Sequence, residues 1–241
     1  GFFFALDGEC LCCLHTAFEE RINGGKFTDN VMEWINLFII CIPKVANAME
    51  LGDHRGITVA SHLQKWYEAC VLLILQSVAK PLPWSIVGFR PGYECLDILH
   101  GLKVLLEKYD EWSLPLVIAI SDVKTAFDEM QAKFVREGLL HRGVSYVLIR
   151  AILRETLFLQ ANVHLGTHST SAAIPLRVGG RQGGAGTPEQ WNSLLSPIAD
   201  ELEQKWRSED LGICLPKSKS DPEGTEDWAG LIIWADNLYP Q

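Results

Sequence analysis

The sequence predicts an α+β fold, because helical and strand patterns are clustered along the chain instead of alternating strictly. Residues 114–120 are almost all apolar, which is typical of a strand buried on both faces. Residues 161–177 alternate weakly and contain glycine and Ser/Thr turn residues, a pattern that favours a hairpin. Thr187 begins a strong helix-start signal, with proline at the next position and glutamine three residues after the cap.

The first part of the chain is predicted to hold helices and one strand. Residues 16–36 have helical spacing that breaks at Asn23-Gly24-Gly25, and residues 37–43 form a short β-branched run typical of a strand. Ser61 is placed to cap a helix that runs through Val78 and stops before two prolines. Residues 93–109 show helical spacing again.

The remaining segments continue the mixed pattern. Two helices are predicted over residues 129–140 and 145–158, joined by a His-Arg-Gly turn. Residues 217–228 are polar with proline and glycine, which is typical of an exposed loop. Residues 231–234 form a last predicted strand, which enters a turn at Ala235-Asp236-Asn237.

Composition bounds the class of protein. Hydrophobic residues make up 48% and charged residues 21%, which is ordinary for a globular domain and argues against disorder. No apolar run approaches the ~20 residues that a membrane helix needs, so no membrane partner is expected. The net charge of −9 is unusual for a nucleic-acid-binding protein. Residues 132–181 nevertheless carry seven basic and two acidic residues, which permits a basic face, although solvated helix surfaces explain the bias equally well.

Seven cysteines, an odd number, are set mostly among apolar residues. This pattern predicts reduced, buried thiols in a reducing compartment. One cluster brings together Cys10, Cys12, Cys13 and His15, but its spacing is too compressed for the paired ligands of a tetrahedral zinc site. A metal is therefore not expected there.

Two aspartates follow apolar strand patterns and are the first candidates for chemistry. Asp122 comes after residues 117–120, and Asp236 comes after residues 231–233. A carboxylate at the end of a strand is held rigidly, as a metal ligand must be. Two such carboxylates could share a pair of divalent cations that stabilise the attacking and leaving oxygens of a phosphoryl transfer. The alternative for either aspartate alone is a helix cap or a turn residue.

Six segments, in family order, resemble motifs of reverse transcriptases of the non-LTR (LINE-type) retroelement class. The three upstream segments resemble fingers motifs, and the three downstream segments resemble the first palm motif, the Arg-Gln-Gly segment that opens the palm helix, and the Tyr-Ala-Asp-Asp turn. They are Ile-Pro-Lys (42–44), Arg-Gly-Ile-Thr (55–58), Gly-Phe-Arg-Pro-Gly-Tyr (88–93), Ser-Asp-Val-Lys-Thr-Ala-Phe-Asp (121–128), Gly-Gly-Arg-Gln-Gly-Gly-Ala-Gly-Thr-Pro (179–188) and Trp-Ala-Asp-Asn (234–237). Each motif alone is weak, and their collinearity is specific.

The resemblance implies a right-hand polymerase with fingers and palm, in which an antiparallel palm sheet packs against helices. It implies an N-terminal helical segment over residues 1–25, mainly fingers over 26–114, and mainly palm over 115–241. The chain is expected to be a fragment that stops after the active-site turn, with the thumb absent. An intracellular location is implied, in the nucleus if the element is eukaryotic.

The same resemblance implies roles for individual residues. Two Mg²⁺ ions, or Mn²⁺ in their place, would be held by Asp122, Asp236 and the Val123 carbonyl, with Asn237 beside them as a catalytic position. The incoming dNTP would be contacted by Lys44, Arg55, Ala126, Phe127, Gln182 and Gly183, with Phe127 excluding a 2′-hydroxyl. An RNA template, paired to a DNA primer, would be contacted by Gly88, Phe89 and Arg90. Without the family context, these residues are ordinary surface cations, a core aromatic and turn residues.

Departures from the family pattern leave the activity open. Asn237 stands where the family has its second turn carboxylate, and an amide cannot replace a charged metal ligand. Gly184 and Ala185 replace the usual Asp-Pro, and Gly56 replaces a proline. The leading hypothesis is an RNA-directed DNA polymerase. The alternatives are a catalytically degenerate relic that keeps the fold and some nucleic-acid binding, and an RNA-dependent RNA polymerase palm in which Asp122 and Asp128 imitate the motif. The Ala-Phe and Arg-Gln-Gly segments argue against the last of these.

Overall fold

The computed structural model describes residues 8–24, 36–47, 49–50, 53–123, 126–157, 160–165, 169–176, 178–181, 183–215, 227–234 and 237–240. The chain divides into two compact units whose segments are interleaved in sequence. Unit 1 comprises Gly1–Lys80 and Phe127–Thr187, and unit 2 comprises Pro81–Ala126 and Pro188–Gln241. The division into fingers and palm predicted above follows other boundaries and stays a prediction.

Helices and strands are both present throughout the described ranges, as the α+β prediction requires. The helices are α1 (Gly8–Ile22), α2 (His62–Val78), α3 (Cys95–Glu111), α4 (Ala132–His141), α5 (Tyr146–Leu157) and α6 (Thr187–Ser208). The strands are β1 (Asn36–Pro43), β2 (His54–Val59), β3 (Ser121–Asp122), β4 (Gln160–Leu165), β5 (Ser169–Thr170), β6 (Ile174–Pro175), β7 (Ile213–Leu215), β8 (Asp227–Ala229), β9 (Leu231–Trp234) and β10 (Asn237–Pro240). Ser61 caps α2 as predicted, since its hydroxyl accepts a hydrogen bond from the Gln64 amide at 3.2 Å.

A mixed sheet forms the centre of unit 1. Its order is β2-β1-β4-β5, and β6 also pairs with β4. β1 runs antiparallel to β2 and parallel to β4, which places Leu37 beside Ala161 in the fully buried middle of the sheet. The predicted hairpin is confirmed, because β4 pairs antiparallel with β5 and with β6.

The helices α1, α2 and α5 of unit 1 pack together in a core that contains a buried ion pair. Phe18 of α1 packs edge-on against Trp66 and Tyr67 of α2, with ring centroids 5.7 and 5.3 Å apart. Arg21 at the end of α1 forms an ion pair with Glu155 of α5 at 2.8 Å, and both side chains are buried. Burial raises the pKa of Tyr67 to about 12, and the nearby Glu155 carboxylate adds to the effect. The second half of α1 is therefore firmly attached to α2 and α5.

Unit 2 contains an antiparallel sheet in the order β3-β10-β9. Ile86 bridges to Ile233 of β9, and both residues are buried together with Leu231. Among the described helices, α3 differs from the others because it has no buried residue. Within the described ranges, none of the helices combines the length and apolarity needed to cross a membrane.

The predicted strand over residues 114–120 is wrong. These residues form no strand, and Val117 and Ile120 are 83% and 70% exposed. A run of apolar residues becomes a buried strand only where neighbouring strands pair with it, and in the described structure pairing begins only at Ser121. The loop predicted over residues 217–228 is wrong at its end, where Asp227 and Trp228 belong to β8, which pairs with β7; residues 216–226 lie outside the described residues.

The expectation of buried thiols is also wrong. Cys10, Cys12, Cys13 and Cys95 are exposed, and Cys41 and Cys70 are half-buried. The physical reason lies in the helices that carry the exposed thiols. The packed residues of α1, Phe18 and Arg21, are all in its second half, and α3 has none.

Candidate active site

The antiparallel sheet of unit 2 sets Asp122 opposite the predicted active-site turn. β3 pairs with β10, and Asp122 is directly across from Asn237, which in turn pairs with Trp234 of β9. Residues opposite each other in such a sheet have Cβ atoms about 4.5–5.5 Å apart. Asp236 and the side chain of Asn237 lie outside the described residues. The backbone therefore brings Asp122 to the residue that follows Asp236 in the chain.

Asp122 could hold a hydrated cation, but the described residues around it do not form a complete metal site. Asp122 is exposed at the strand, so that a divalent ion could reach its carboxylate while keeping waters, as Mg²⁺ does. Val123, whose carbonyl was predicted as a ligand, is half-buried beside it. In the part of the chain that the structure describes, no group of three or more His, Cys, Asp or Glu residues could hold a metal. A two-metal site here thus depends on Asp236.

The predicted template motif is fastened to β9. The amides of Val87 and Gly88 both donate to the Ile233 carbonyl, at 3.0 and 3.1 Å, and the Ile233 amide donates to the Ser85 carbonyl at 2.7 Å. The Gly88 carbonyl accepts a hydrogen bond at 2.9 Å from the side-chain amide of Asn192, which is buried. Gly88 is therefore fixed to Ile233, the residue three positions before Asp236 in the sequence.

The side chain of Arg90 bonds to nearby residues of the same segment. Its guanidinium Nη1 donates to the carbonyls of Pro83 and Ile86 at 3.2 and 3.1 Å, and its planar group lies 5.1 Å from the Tyr93 ring centroid. These contacts hold the turn before the helix α3. Phe89 has a φ of 58° and is 47% exposed, so the segment presents an aromatic side chain to solvent. Template contact by these residues stays a prediction.

A cavity of about 260 Å³ in unit 1 gathers residues from four of the sequence motifs. Its lining includes one residue of the first fingers motif, two of the second, and three of the glycine-rich segment, which are Lys44, Gly56, Thr58, Gly179, Gly180 and Arg181. Asp128, the last residue of the first palm motif, and His54 add polar groups to the lining. Segments far apart in sequence are thus joined around one polar cavity.

The β1–β2 hairpin positions Lys44 of that cavity. The Lys44 amide donates to the Asp53 carbonyl at 2.7 Å, and the Asp53 carboxylate accepts from the amides of Met49 and Glu50 at 3.3 and 3.2 Å. Arg55 lies opposite Ile42 in the strand pair, and its side chain lies outside the described residues. The hairpin therefore brings Lys44 and the Arg55 backbone to the same end of the sheet.

The glycine-rich segment is held against the end of the first palm motif and the residues just after it. The Gly180 amide donates to the Phe127 carbonyl at 2.6 Å, and the Gly179 amide donates to the Met130 carbonyl at 2.9 Å. Gly179 has a φ of +96°, and a Cβ there would lie 2.8 Å from the Asp128 carbonyl oxygen. Only glycine allows this approach without displacing the backbone. Phe127, the predicted sugar-selecting residue, is half-buried beside this contact.

Arg181 anchors the segment to α2 through a buried ion pair with Glu68. The two side chains are 7% and 6% exposed. Burial lowers the pKa of Arg181 to about 10, which still leaves it charged at neutral pH. Arg181 directly precedes Gln182, the predicted nucleotide-contacting residue. The ion pair therefore fixes the position of the residue before Gln182 in the chain. Gln182 itself lies outside the described residues.

The other predicted nucleotide contacts are divided between the two units. Gly183 in unit 1 is exposed with a φ of +104°, and a Cβ there would lie 3.2 Å from the Thr58 carbonyl oxygen of β2. Ala126, the last residue of its segment in unit 2, is buried. Gly183 is therefore placed at the edge of the sheet that carries the second fingers motif.

Two positioning residues were missed in the sequence. Asn192 holds Gly88, and Glu68 holds Arg181. A signal for Glu68 was present, because it shares the buried face of α2 with Val71 and Leu75 at helical spacing. A carboxylate on an apolar stripe indicates a buried cationic partner.

The fold of the chain is similar to the structure of apo telomerase from Candida tropicalis truncated from its C-terminal domain, with a TM-score of 0.56 and 12% sequence identity. The match covers 86% of this chain and 43% of that chain, so the chain spans less than half of the telomerase to which it is similar. At this identity the similarity shows the fold alone. No family model matches the chain, and no curated protein matches its sequence.

Proposed function

We propose that this chain is the RNA-directed DNA polymerase (reverse transcriptase) domain of a non-LTR, LINE-type retroelement. The observation that carries the proposal is the pairing that sets Asn237 opposite Asp122 within a reverse-transcriptase-like fold. The order of the six motifs supports it. The substrates are dNTPs on an RNA template with a DNA primer, and nucleic-acid binding agrees with the telomerase likeness. A nuclear location follows if the element is eukaryotic.

In this proposal, unit 2 supplies the metal ligands. Asp122, Asp236 and the Val123 carbonyl would hold two Mg²⁺ ions, with Mn²⁺ as an alternative, and the ions supply charge that stabilises the attacking and leaving oxygens of nucleotidyl transfer. The hydrogen bonds from Val87 and Gly88 to Ile233 support a rigid strand before the turn. Rigidity matters because a displaced ligand loses much of its effect on the rate.

Residues of the other motifs supply the nucleotide contacts in this proposal. Lys44 acts as a point charge on phosphate oxygens, and Arg55 can bind them in a bidentate manner. Gln182 and Gly183 contact the nucleotide from a segment whose position is set by the Arg181–Glu68 ion pair. Ala126 and Phe127 contact the sugar, where Phe127 excludes a 2′-hydroxyl by its bulk. Gly88, Phe89 and Arg90 of unit 2 contact the template.

A second candidate function is nucleic-acid binding without catalysis. The observation that favours it is Asn237, whose neutral amide stands where the metal pair needs a carboxylate. Two dications repel each other, and fixed negative charge is required to hold both in one site. In this case the fold and the polar cavity of unit 1 would remain, while the chemical step would be lost.

Primer extension distinguishes the two candidates. The chain is incubated with dNTPs and Mg²⁺ on a DNA-primed RNA template, beside Asn237→Asp and the control Asp122→Asn. We expect little extension by the native chain, at least about tenfold more by Asn237→Asp, because disturbing a metal site costs about 10–100-fold, and none by Asp122→Asn.

Binding of the labelled primer–template, measured by fluorescence anisotropy, is read in parallel. If the chain binds the primer–template but neither the native chain nor any variant extends it, the non-catalytic candidate is supported. If no variant binds or extends the primed template, the polymerase proposal is wrong. Strong extension by the native chain, unimproved by Asn237→Asp, would instead show that two carboxylates are enough.

A further inference from the structure

The first half of α1 presents three thiols to solvent. Cys10, Cys12 and Cys13 are exposed and reduced, within a helix that begins at Gly8. No residue from 8 to 17 is buried, whereas Phe18 and Arg21 attach the second half of the helix to the rest of unit 1. The Cys12 carbonyl accepts a hydrogen bond from the Thr16 hydroxyl at 3.0 Å, so the helix is regular through this cluster. Small reagents can therefore reach all three sulfur atoms.

Helix geometry selects one pair from the three. Residues separated by three positions lie on the same face, with Cβ atoms about 5–6 Å apart, and this is the spacing of Cys10 and Cys13. Cys10 and Cys12 point in nearly opposite directions, and Cys12 and Cys13 diverge by about 100°. A disulfide needs Cα atoms about 4.4–6.8 Å apart and Cβ atoms about 3.5–4.5 Å apart. The Cys10–Cys13 pair meets the first condition and approaches the second with a small local adjustment.

We propose that Cys10 and Cys13 form an exchange site for low-molecular-weight disulfides such as oxidised glutathione. One thiolate attacks a sulfur of the small disulfide, forming a mixed disulfide and releasing one thiol. The second thiolate then attacks the protein sulfur of that mixed bond, closing the Cys10–Cys13 disulfide and releasing a second thiol. The protein pair loses two electrons and two protons, and the small disulfide becomes two thiols, so the exchange is balanced.

The site is reversible and leaves the fold intact. The required approach of the Cβ atoms strains the bond, and strained disulfides are more easily reduced. Both cysteines belong to one helix, so closing the bond leaves the Arg21–Glu155 attachment between α1 and α5 unchanged. The exposed Cys95 in unit 2 offers a single thiol of the same accessibility for comparison.

The experiment counts reactive thiols in the whole chain after equilibration in glutathione buffers of graded redox ratio. The protein is denatured, labelled with a maleimide and weighed by mass spectrometry. In peptides from the labelled protein, we expect the oxidised native chain and Cys12→Ser to lose the labels at Cys10 and Cys13 without a gain of glutathione at either residue. Exposed single thiols such as Cys95 can carry glutathione in every sample. Cys10→Ser and Cys13→Ser should each gain one glutathione at the remaining cysteine instead. Cys95→Ser should behave as the native chain does.

Several outcomes would overturn the proposal. Loss of two labels in Cys10→Ser that added glutathione does not account for would mean that other cysteines pair. Disulfide-linked dimers in place of the internal bond would mean that the thiols react only between molecules. Retention of all labels at the most oxidising ratio would show that the pair does not close. Far-ultraviolet circular dichroism of each oxidised sample checks that the helix is kept, and a loss of helix would contradict the geometry argued above.

Discussion

The two units hold their charged residues in opposite ways. In unit 1 the ion pairs Arg181–Glu68 and Arg21–Glu155 are buried and join elements far apart in sequence. In unit 2 the ion pairs Lys103–Glu107 and Lys108–Glu111 of α3 are exposed and lie within one helix. A desolvated pair costs much more to break than an exposed one. The comparison teaches that the glycine-rich segment is fixed by packing, whereas α3 depends mostly on local helix interactions.

The largest difference is expected when one partner of an ion pair is removed. Glu68→Ala leaves the buried Arg181 charge uncompensated and should lower the free energy of unfolding by about 3–5 kcal/mol. The matched change on α3, Glu111→Ala, removes an exposed pair and should cost about 0–1 kcal/mol. Urea denaturation of both variants measures the two values. Equal losses would contradict the comparison, because they would show that the burial of Glu68 does not matter.

A second contrast concerns leucines. Leu139 in α4 is fully buried, while Leu96 in α3 is 69% exposed. Leu139→Ala should lower the free energy of unfolding by about 2–5 kcal/mol through lost burial and the cavity that remains. Leu96→Ala should change it by about 0.5 kcal/mol or less, as surface substitutions do. A comparably large loss for Leu96→Ala in the same urea titration would mean that α3 packs against something in solution.

Local signals in the sequence were enough to predict most helices and several strands. Caps and turn residues act on neighbours, so Ser61 and Thr187 marked helix starts that the structure confirms. The strand prediction for residues 114–120 was wrong for the opposite reason. A strand needs a neighbouring strand to pair with, and the composition of a segment does not reveal whether one is present. In this segment apolar residues are exposed, and pairing starts only at Ser121.

The motifs of the candidate site could be recognised in the sequence, but the residues that hold those motifs in place could not. The order of the motifs predicts Asp122 and Gly88 as site residues from the sequence alone. The residues that hold such positions act over long sequence separations, as in the bond from Asn192 to Gly88, 104 residues apart. A separation of that size leaves no local pattern that identifies both partners. The position of Glu68 on the buried face of α2 was a local signal, but its partner Arg181 could be identified only from the structure.

Effects of opposite sign, each smaller than the loss expected for Glu68→Ala, are expected at two glycines. Gly179 in unit 1 has a φ of +96°, and an added Cβ would lie 2.8 Å from the Asp128 carbonyl oxygen. Gly179→Ala should therefore destabilise the chain by about 1–3 kcal/mol through backbone strain. Gly101 lies in the interior of α3, where an added Cβ meets no atom within 4 Å. Gly101→Ala should stabilise the helix by about 1 kcal/mol, because alanine loses less backbone entropy than glycine.

Thermal unfolding of the two glycine variants gives the measurement. For a chain of this size, 1 kcal/mol corresponds to a change in Tm of about 2–4 °C, so Gly179→Ala should lower Tm and Gly101→Ala should raise it. The two glycines belong to different units, and a double variant whose shift equals the sum of the single shifts would show that the two sites are independent. A lowered Tm for Gly101→Ala would show that this face of α3 is covered in solution. An unchanged Tm for Gly179→Ala would show that the Asp128 carbonyl can move away, and that the glycine-rich segment is less constrained than its contacts indicate.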